Sequence, residues 1–390
     1  MNRVFFDHQP RTRVIFGVDS IERVGELAQS LGGKKVLLVT DRGIVSAGHA
    51  GRVQSLLEAV GMKVTCFDQV EENPGTQCVE RCVAVAREAA VDTIVGLGGG
   101  SSMDTAKGCN FILTNGGQMK DYWGIGRATR PMLPLLAIPT TGGTGSECQS
   151  FALITDEQTH QKMACGDPKA AARIALLDPA LTVSQPPRVT ACSGIDALAH
   201  ALETLVTKSR NSISLLFSRE AFRLLIAGLP RVLASPGDLE ARGGMLLGAA
   251  WAGTAIENSM LGAAHAAANP LTAHFGVAHG HAVGLMLPHV VRFNARDAAV
   301  AVTYAELWSA ARLGLSVEAP ETAAGLLADH LESLLDQARL PRTLDHCRVK
   351  SDDIPRLADE AARQWTAQFN PRTVIASDFQ LLYSAAMNSH

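Results

Sequence analysis

The sequence predicts an α/β N-terminal domain built on a mostly parallel sheet, followed by an all-α C-terminal domain. Short β-branched and aliphatic runs alternate with helix-length stretches through the first half. Beyond Pro186-Pro187 the pattern becomes long, Ala- and Leu-rich and helical. Strands alternating with helices in this way favour βαβ units and a parallel sheet. A length of 390 residues admits two to three domains at about 150 residues each. It also allows sizeable cores without disulfide or metal staples. The expected domains are 1–185 and 186–390.

The elements follow in order. Val36-Leu37-Leu38-Val39-Thr40 reads as a buried strand bounded by Asp41 and Gly43, residues 51–61 have helical spacing, and Lys63–Phe67 return as a strand. A helix covers about 78–90, and Thr93–Leu97 forms a strand that runs into three glycines. Leu135–Ile138 is a further apolar strand, ending at Pro139. In the second half, helical spacing covers 189–207, 212–227, 239–256, 302–314, 320–338 and 354–365.

Composition removes several classes of function. Apolar residues make up 47% and charged residues 19%, which excludes disordered, collagen-like and coiled-coil chains. Lys plus Arg (35) against Asp plus Glu (38) gives a net charge of −3, without the basic excess of a nucleic-acid binder. Eight cysteines lie scattered with no Cys-x-x-Cys pair, a usage that suits reduced thiols in the cytoplasm. The N-terminal residues carry charges where a signal peptide needs its apolar stretch. Asn258–Val291 has no Asp, Glu, Lys or Arg, but it holds five histidines and two prolines, unlike a lipid-facing span.

Two glycine loops follow predicted strands. Gly98-Gly99-Gly100-Ser101-Ser102-Met103-Asp104-Thr105-Ala106-Lys107 opens a helix, whose free N–H groups and positive dipole end suit a phosphate. A tight strand-to-helix turn explains the same glycines. Pro139–Glu147 combines four hydroxyls with three glycines, as a sugar–phosphate ligand would require, although polar surface loops share that composition. Two such loops at strand ends fit a dinucleotide across the carboxyl edge of the sheet. Asp41, closing the first strand, is placed to accept from a ribose 2′-hydroxyl and so favour NAD over NADP. A helix N-cap is the competing role.

Asp196 and His200 are four residues apart on one helix face. His265 lies on another helical run, and His279 follows Pro270 and a turn, so both can join that face. One carboxylate and three imidazoles suit a borderline divalent ion such as Fe²⁺, Zn²⁺, Mn²⁺ or Ni²⁺. Each histidine also fits a hydrogen-bonded core position. Ala263, Ala264 and Ala266–Ala268 fit either a roomy pocket or close helix packing.

Gly98–Lys107, Pro139–Glu147, Gly194–Glu203 and His265–Pro288 resemble the signature segments of the iron-dependent (group III) alcohol dehydrogenases. The similarity runs from Arg13-Val14-Ile15-Phe16-Gly17 into the helical half. This resemblance implies the dehydroquinate synthase-like architecture: an NAD-binding domain, a helical metal-binding domain, and a cleft for NAD(H) and one divalent metal, Fe(II) or Zn(II). By motif match the metal ligands are Asp196, His200, His265 and His279, through which catalysis would run. Asp41 matches the cofactor-selecting acid and Asn73, in Glu-Asn-Pro-Gly, the cofactor-contacting asparagine. Gly99, Gly100 and Ser101 would hold the pyrophosphate. Thr140, Thr141 and Thr144, with Phe151, Lys162 and Leu181, would line the ribose and nicotinamide end.

One segment departs from the family pattern. Members often read His-x-x-x-His before Pro-Leu-Gly, whereas this chain reads His265-Ala-Ala-Ala-Asn269-Pro270-Leu271-Thr272. Asn269 forms hydrogen bonds but cannot shuttle a proton near neutral pH. His274 is the candidate substitute. The implied activity is reversible hydride transfer between a small alcohol or aldehyde and nicotinamide, in a cytoplasmic homodimer. Alternatives within the same scaffold are a maleylacetate reductase, a hydroxyacid–oxoacid transhydrogenase and a catalytically silent NAD-binding structural protein.

Overall fold

The computed structural model describes residues 6–157, 162–314 and 317–387. The described residues divide into two compact units, one within Gln9–Gln185 and the other formed by residues 6–8 together with those from Pro186 to Met387. His8 Nδ1 donates to Asn258 Oδ1 at 3.0 Å. The sequence pattern, which assigned 1–185 to one domain, gave no sign of this attachment.

The first unit runs β1 (Arg13–Phe16), α1 (Val24–Ser30), β2 (Lys35–Val39), α2 (Arg42–Ser46), α3 (His49–Ala59), β3 (Lys63–Phe67), α4 (Thr76–Ala89), β4 (Thr93–Gly98), α5 (Gly100–Asn115), β5 (Gly124–Ile125), β6 (Leu135–Pro139), β7 (Phe151–Thr155), β8 (Lys162–Gly166) and β9 (Ile174–Leu177). Six strands form a parallel sheet in the order β1-β9-β6-β4-β2-β3. The inner strands β2, β4, β6 and β9 are largely continuous apolar runs because both sheet faces are covered. Leu37, Val39, Ile94 and Ala137 pack on one face against α4 and α5 residues such as Val79 and Met103. Val36, Leu38, Val95 and Leu136 pack on the other against Leu27, Val53 and Leu57. A smaller sheet, β5-β8-β7, is attached.

Strand order locates a ligand edge. The chain leaves β2 toward β3 and leaves β4 in the opposite direction toward β6 and β9. The loops after β2 and β4 therefore part at a topological switch point, where open α/β sheets bind ligands.

The second unit contains α6 (Pro187–Val206), α7 (Ser212–Ala234), α8 (Leu239–Asn258), α9 (Ala263–Phe275), α10 (His279–Asn294), α11 (Ala298–Ala310), α12 (Pro320–Gln337), α13 (Ile354–Ala362) and α14 (Ala376–Met387). Nearly every residue of α6 from Thr190 to Val206 is buried, so α6 is the axis of this core. Ala263, Ala264 and Ala266–Ala268 of α9 are fully buried in the same core, which identifies them as helix packing rather than a pocket wall. Pro270 does not break α9; the helix continues to Phe275 and ends at Gly276, whose φ of 64° is left-handed. No described helix is long and apolar enough to cross a membrane.

Candidate metal centre and dinucleotide loops

Three helices bring the second unit's polar cluster together. Asp196 and His200 lie one turn apart on α6, His265 is near the start of α9, and His279 begins α10. Gly280 makes that start possible: a Cβ there would run into the Cys192 carbonyl of α6. His265 Nε2, His200 Nε2 and His279 Nε2 stand 3.3, 3.5 and 3.8 Å from one atom, Asp196 Oδ1. Asp196, His265 and His279 offer ligand atoms all within 4.8 Å of one another. His200 shares the carboxylate and stacks its ring on His265, with centroids 4.8 Å apart.

The cluster is buried apart from His279, which is half-buried. Asp196 Oδ1 and His265 Nε2 are enclosed and have no hydrogen-bond partner. Burial alone would favour neutral Asp196, but His200 first, then His265 and His279, hold its carboxyl well below the ordinary range. Burial likewise opposes a charged His265, yet the Glu203 and Asp196 carboxylates outweigh it and push the ring up to about 9. A buried carboxylate faced by three imidazole nitrogens fits a divalent cation by donor type.

His274 and Asn269 go elsewhere. His274 Nε2 is bonded to Glu360 Oε2 of α13 at 2.6 Å, outside the Asp196 grouping. Asn269 Nδ2 donates to Gln364 Oε1 at 3.0 Å.

In the first unit, the loops after β2, β3, β4 and β6 all lie at the carboxyl edge of parallel strands. Asp41 Oδ1 accepts from Ile44 N at 3.0 Å and so caps α2. Its Oδ2 faces Gly98, 3.4 Å from where a Cβ would stand. One oxygen is thus a helix cap and the other is turned toward the glycine loop. Asn73, between β3 and α4, holds a left-handed φ of 51°. Its carbonyl accepts from Thr155 Oγ1 at 3.3 Å.

The two glycine loops interlock. Thr140 N donates to Gly98 O at 2.9 Å. Thr141 lies 3.4 Å from a Cβ built on Gly99, and Thr144 only 2.7 Å from one on Gly100. Glycine at 100 is therefore a condition of that approach. The 16-residue α5 starts at Gly100, followed by Ser101, with no side-chain cap and no acid in its first turn, leaving its positive end suited to an anion. Lys162 and Phe151 sit on the paired strands β8 and β7. Leu181 is 1% exposed and packs in the core beneath the sheet.

Sequence reasoning missed a buried tie between these loops. Lys107 Nζ of α5 donates to Ser146 O at 2.6 Å, Ser146 Oγ at 2.9 Å and Phe151 O at 2.9 Å. Ser146 Oγ in turn donates to Asp104 Oδ1 at 3.0 Å. The only sequence signal was a lysine and an aspartate in an otherwise uncharged helix.

Glu147 is buried beside this tie, and burial pushes its carboxyl up to about 7, against the pull of its own backbone N–H and Lys107. Between its ordinary 4.5 and about 7, the unfolded chain releases this proton while the folded protein keeps it. Stability is therefore lost as pH rises through that window and levels off above it. Glu147→Gln removes the loss: relative to the parent, its unfolding free energy should gain roughly 3 kcal/mol between pH 4.5 and pH 7.5. Calorimetry of both proteins at the two pH values checks this; an equal difference at each would refute it.

The comparisons with known proteins agree with this arrangement. Residues 10–179 match the family model described as iron-containing alcohol dehydrogenase. Residues 190–387 match the C-terminal domain of the Fe-containing alcohol dehydrogenase family. The chain is 33% identical to the NAD-dependent methanol dehydrogenase of Bacillus methanolicus over 377 residues, covering 96% of this chain and 97% of that protein. It is 36% identical to the choline dehydrogenase of Bacillus subtilis (strain 168) over 380 residues, 97% of this chain and 94% of that one. A crystal structure of 1,3-propanediol oxidoreductase superposes with a TM-score of 0.94 at 32% identity, covering 98% of this chain and 100% of that one. With both halves matched and whole-length relatives above 30% identity, the chain belongs to the iron-containing alcohol dehydrogenase family.

Proposed function

We propose that the protein is an NAD(H)-dependent, metal-dependent alcohol dehydrogenase that interconverts a small alcohol and its aldehyde. The observation that carries this reading is the convergence of three imidazole nitrogens on the buried Asp196 Oδ1. The methanol, choline and 1,3-propanediol named for its relatives share a primary alcohol, which supports that substrate class. When bound, NAD(H) supplies the hydride acceptor or donor, and a divalent metal, Fe(II) or Zn(II), supplies Lewis acidity.

The chain's own residues do the rest. Asp196, His200, His265 and His279 hold the metal. The N-terminus of α5, with Gly99, Gly100 and Ser101, seats the pyrophosphate, while Thr140, Thr141 and Thr144 face the ribose. Asn73, Phe151, Lys162 and Leu181 complete the cofactor site, Leu181 by supporting it from the core. Asn269, bonded to Gln364, cannot exchange a proton near neutral pH and takes no part in proton transfer. The eight free cysteines support a reducing, cytoplasmic setting. The outer edge of β1, with Phe16 exposed, supports a homodimer.

The test is NADH oxidation by metal-stripped protein, with and without anaerobic Fe²⁺, across small aldehydes. Activity only with metal is expected. Activity without metal would favour a maleylacetate-reductase type of reaction. No activity in either state, with NADH still bound, would indicate a silent NAD-binding protein.

Asp41 gives a second test. Asp41→Asn keeps an α2 cap while removing the charge. It should cut the preference for NADH over NADPH roughly tenfold, the equivalent of 1.4 kcal/mol. Asp41→Gly should add a loss of stability. Unchanged discrimination in both variants would leave Asp41 as a cap alone.

A further inference from the structure

Glu203 lies on α6 seven residues beyond Asp196 and is 4% exposed. Both of its carboxylate oxygens are committed to the start of α9. Oε2 is 2.6 Å from His265 Nδ1, and Oε1 accepts the backbone N–H of Ala264 at 2.7 Å. The α9 N-cap, Gly262, supplies no side-chain cap of its own. Asn370 Oδ1 accepts the neighbouring N–H of Ala263 at 3.3 Å. A Cβ on Gly262 would stand 3.0 Å from Glu203 Oε1 and 3.1 Å from Asn370 Oδ1, so a residue without a side chain admits both acceptors.

His265 is the third residue of α9. One carboxylate therefore fixes both the backbone that carries this histidine and the ring itself. An acceptor-only partner at Nδ1 requires Nδ1 to carry the proton. In the neutral ring that a metal requires, the Nε2 lone pair is then the one turned toward Asp196 Oδ1, 3.3 Å away. With the ring neutral, that lone pair and the carboxylate oxygen are two donors able to share one cation. A carboxylate behind a ligating imidazole is also what fixes its tautomer and raises its basicity.

We propose that Glu203 is a positioning residue of the metal centre: it holds the His265 ring with Nε2 directed at Asp196 and thereby raises divalent-metal affinity. The inference rests on the reading of Asp196, His200, His265 and His279 as metal ligands. Glutamine at 203 has one carbonyl oxygen where two acceptors stood, so it either loses Ala264 N–H or presents its NH2 to His265 Nδ1, which reverses the ring's tautomer.

The test titrates metal-stripped full-length protein with Co²⁺, following its visible absorption and competition with a chelator. Glu203→Gln is expected to weaken Co²⁺ binding roughly 10–100-fold and to shift the absorption bands, with NADH affinity unchanged. Glu203→Asp, which keeps the carboxylate, should fall between, and it decides the matter if Glu203→Gln does not fold. Wild-type Co²⁺ affinity and spectrum in the folded variants, with only a lower Tm, would overturn the proposal and leave Glu203 a helix cap. His200→Ala separates the two readings. If it binds Co²⁺ as the parent does, the ligand set itself is wrong and the role of Glu203 falls with it.

Discussion

Replacing His265 with alanine should abolish metal retention and turnover while NADH still binds. Of the three imidazoles, His265 stands nearest to Asp196 Oδ1, at 3.3 Å. Its loss removes one donor from a set of four and also strands Glu203, whose Oε2 is bonded to the His265 ring. The loss of metal affinity should therefore exceed the roughly 10–100-fold expected for an outer-shell change. Dialysis against a chelator followed by metal analysis reads retention, and NADH fluorescence reads the dinucleotide site. The two should separate because the glycine loops belong to Gln9–Gln185 and His265 to the helical unit. A metal-free variant that still turns over would contradict the assignment.

The second large effect belongs to Lys107. Lys107→Ala leaves the Ser146 and Phe151 carbonyls without their buried donor. It also removes the cation whose charge favours ionised Asp104 and Glu147. Deleting one partner from such a buried ionic network costs about 3–5 kcal/mol. For a unit of this size each kcal/mol lowers Tm by about 2–4 °C, so a fall of roughly 10 °C is expected. NADH affinity should weaken as well, because Lys107 ties α5 to the loop after β6. Lys107→Met, which fills the same space, should repair little of either loss. Recovery of full stability by methionine would mean that Lys107 acts by packing alone.

The fold was legible wherever one physical signal dominated. Lys35–Val39 and Thr93–Gly98 are strands because their continuous aliphatic runs suit a sheet covered on both faces. The helices of the second half followed from spacing, although α7 continues through Pro230 to Ala234 and α14 carried no distinct signal. Strands β5, β7, β8 and β9 were missed, being short or dependent on partners distant in sequence. Of the candidate metal site, Asp196 and His200 were linked by helical spacing and a helix break allowed His265 and His279 to join them, while naming the four as ligands needed the family pattern. Glu203 continues that same helix face at i+7, and its signal was present in the sequence. Lys107 was illegible because its acceptors are two backbone carbonyls and a hydroxyl contributed by other elements.

The attachment of His8 to the helical unit has a consequence for synthesis. Residues 9–185 form an uninterrupted stretch set inside the other unit's sequence. That stretch emerges from the ribosome whole and can mature while its successor is still being translated. His8 is different: its partner Asn258 lies 250 residues later. At about 5–20 residues per second, His8 waits roughly 12–50 s for Asn258 to be made. His8 is therefore synthesised well before the residue that holds it.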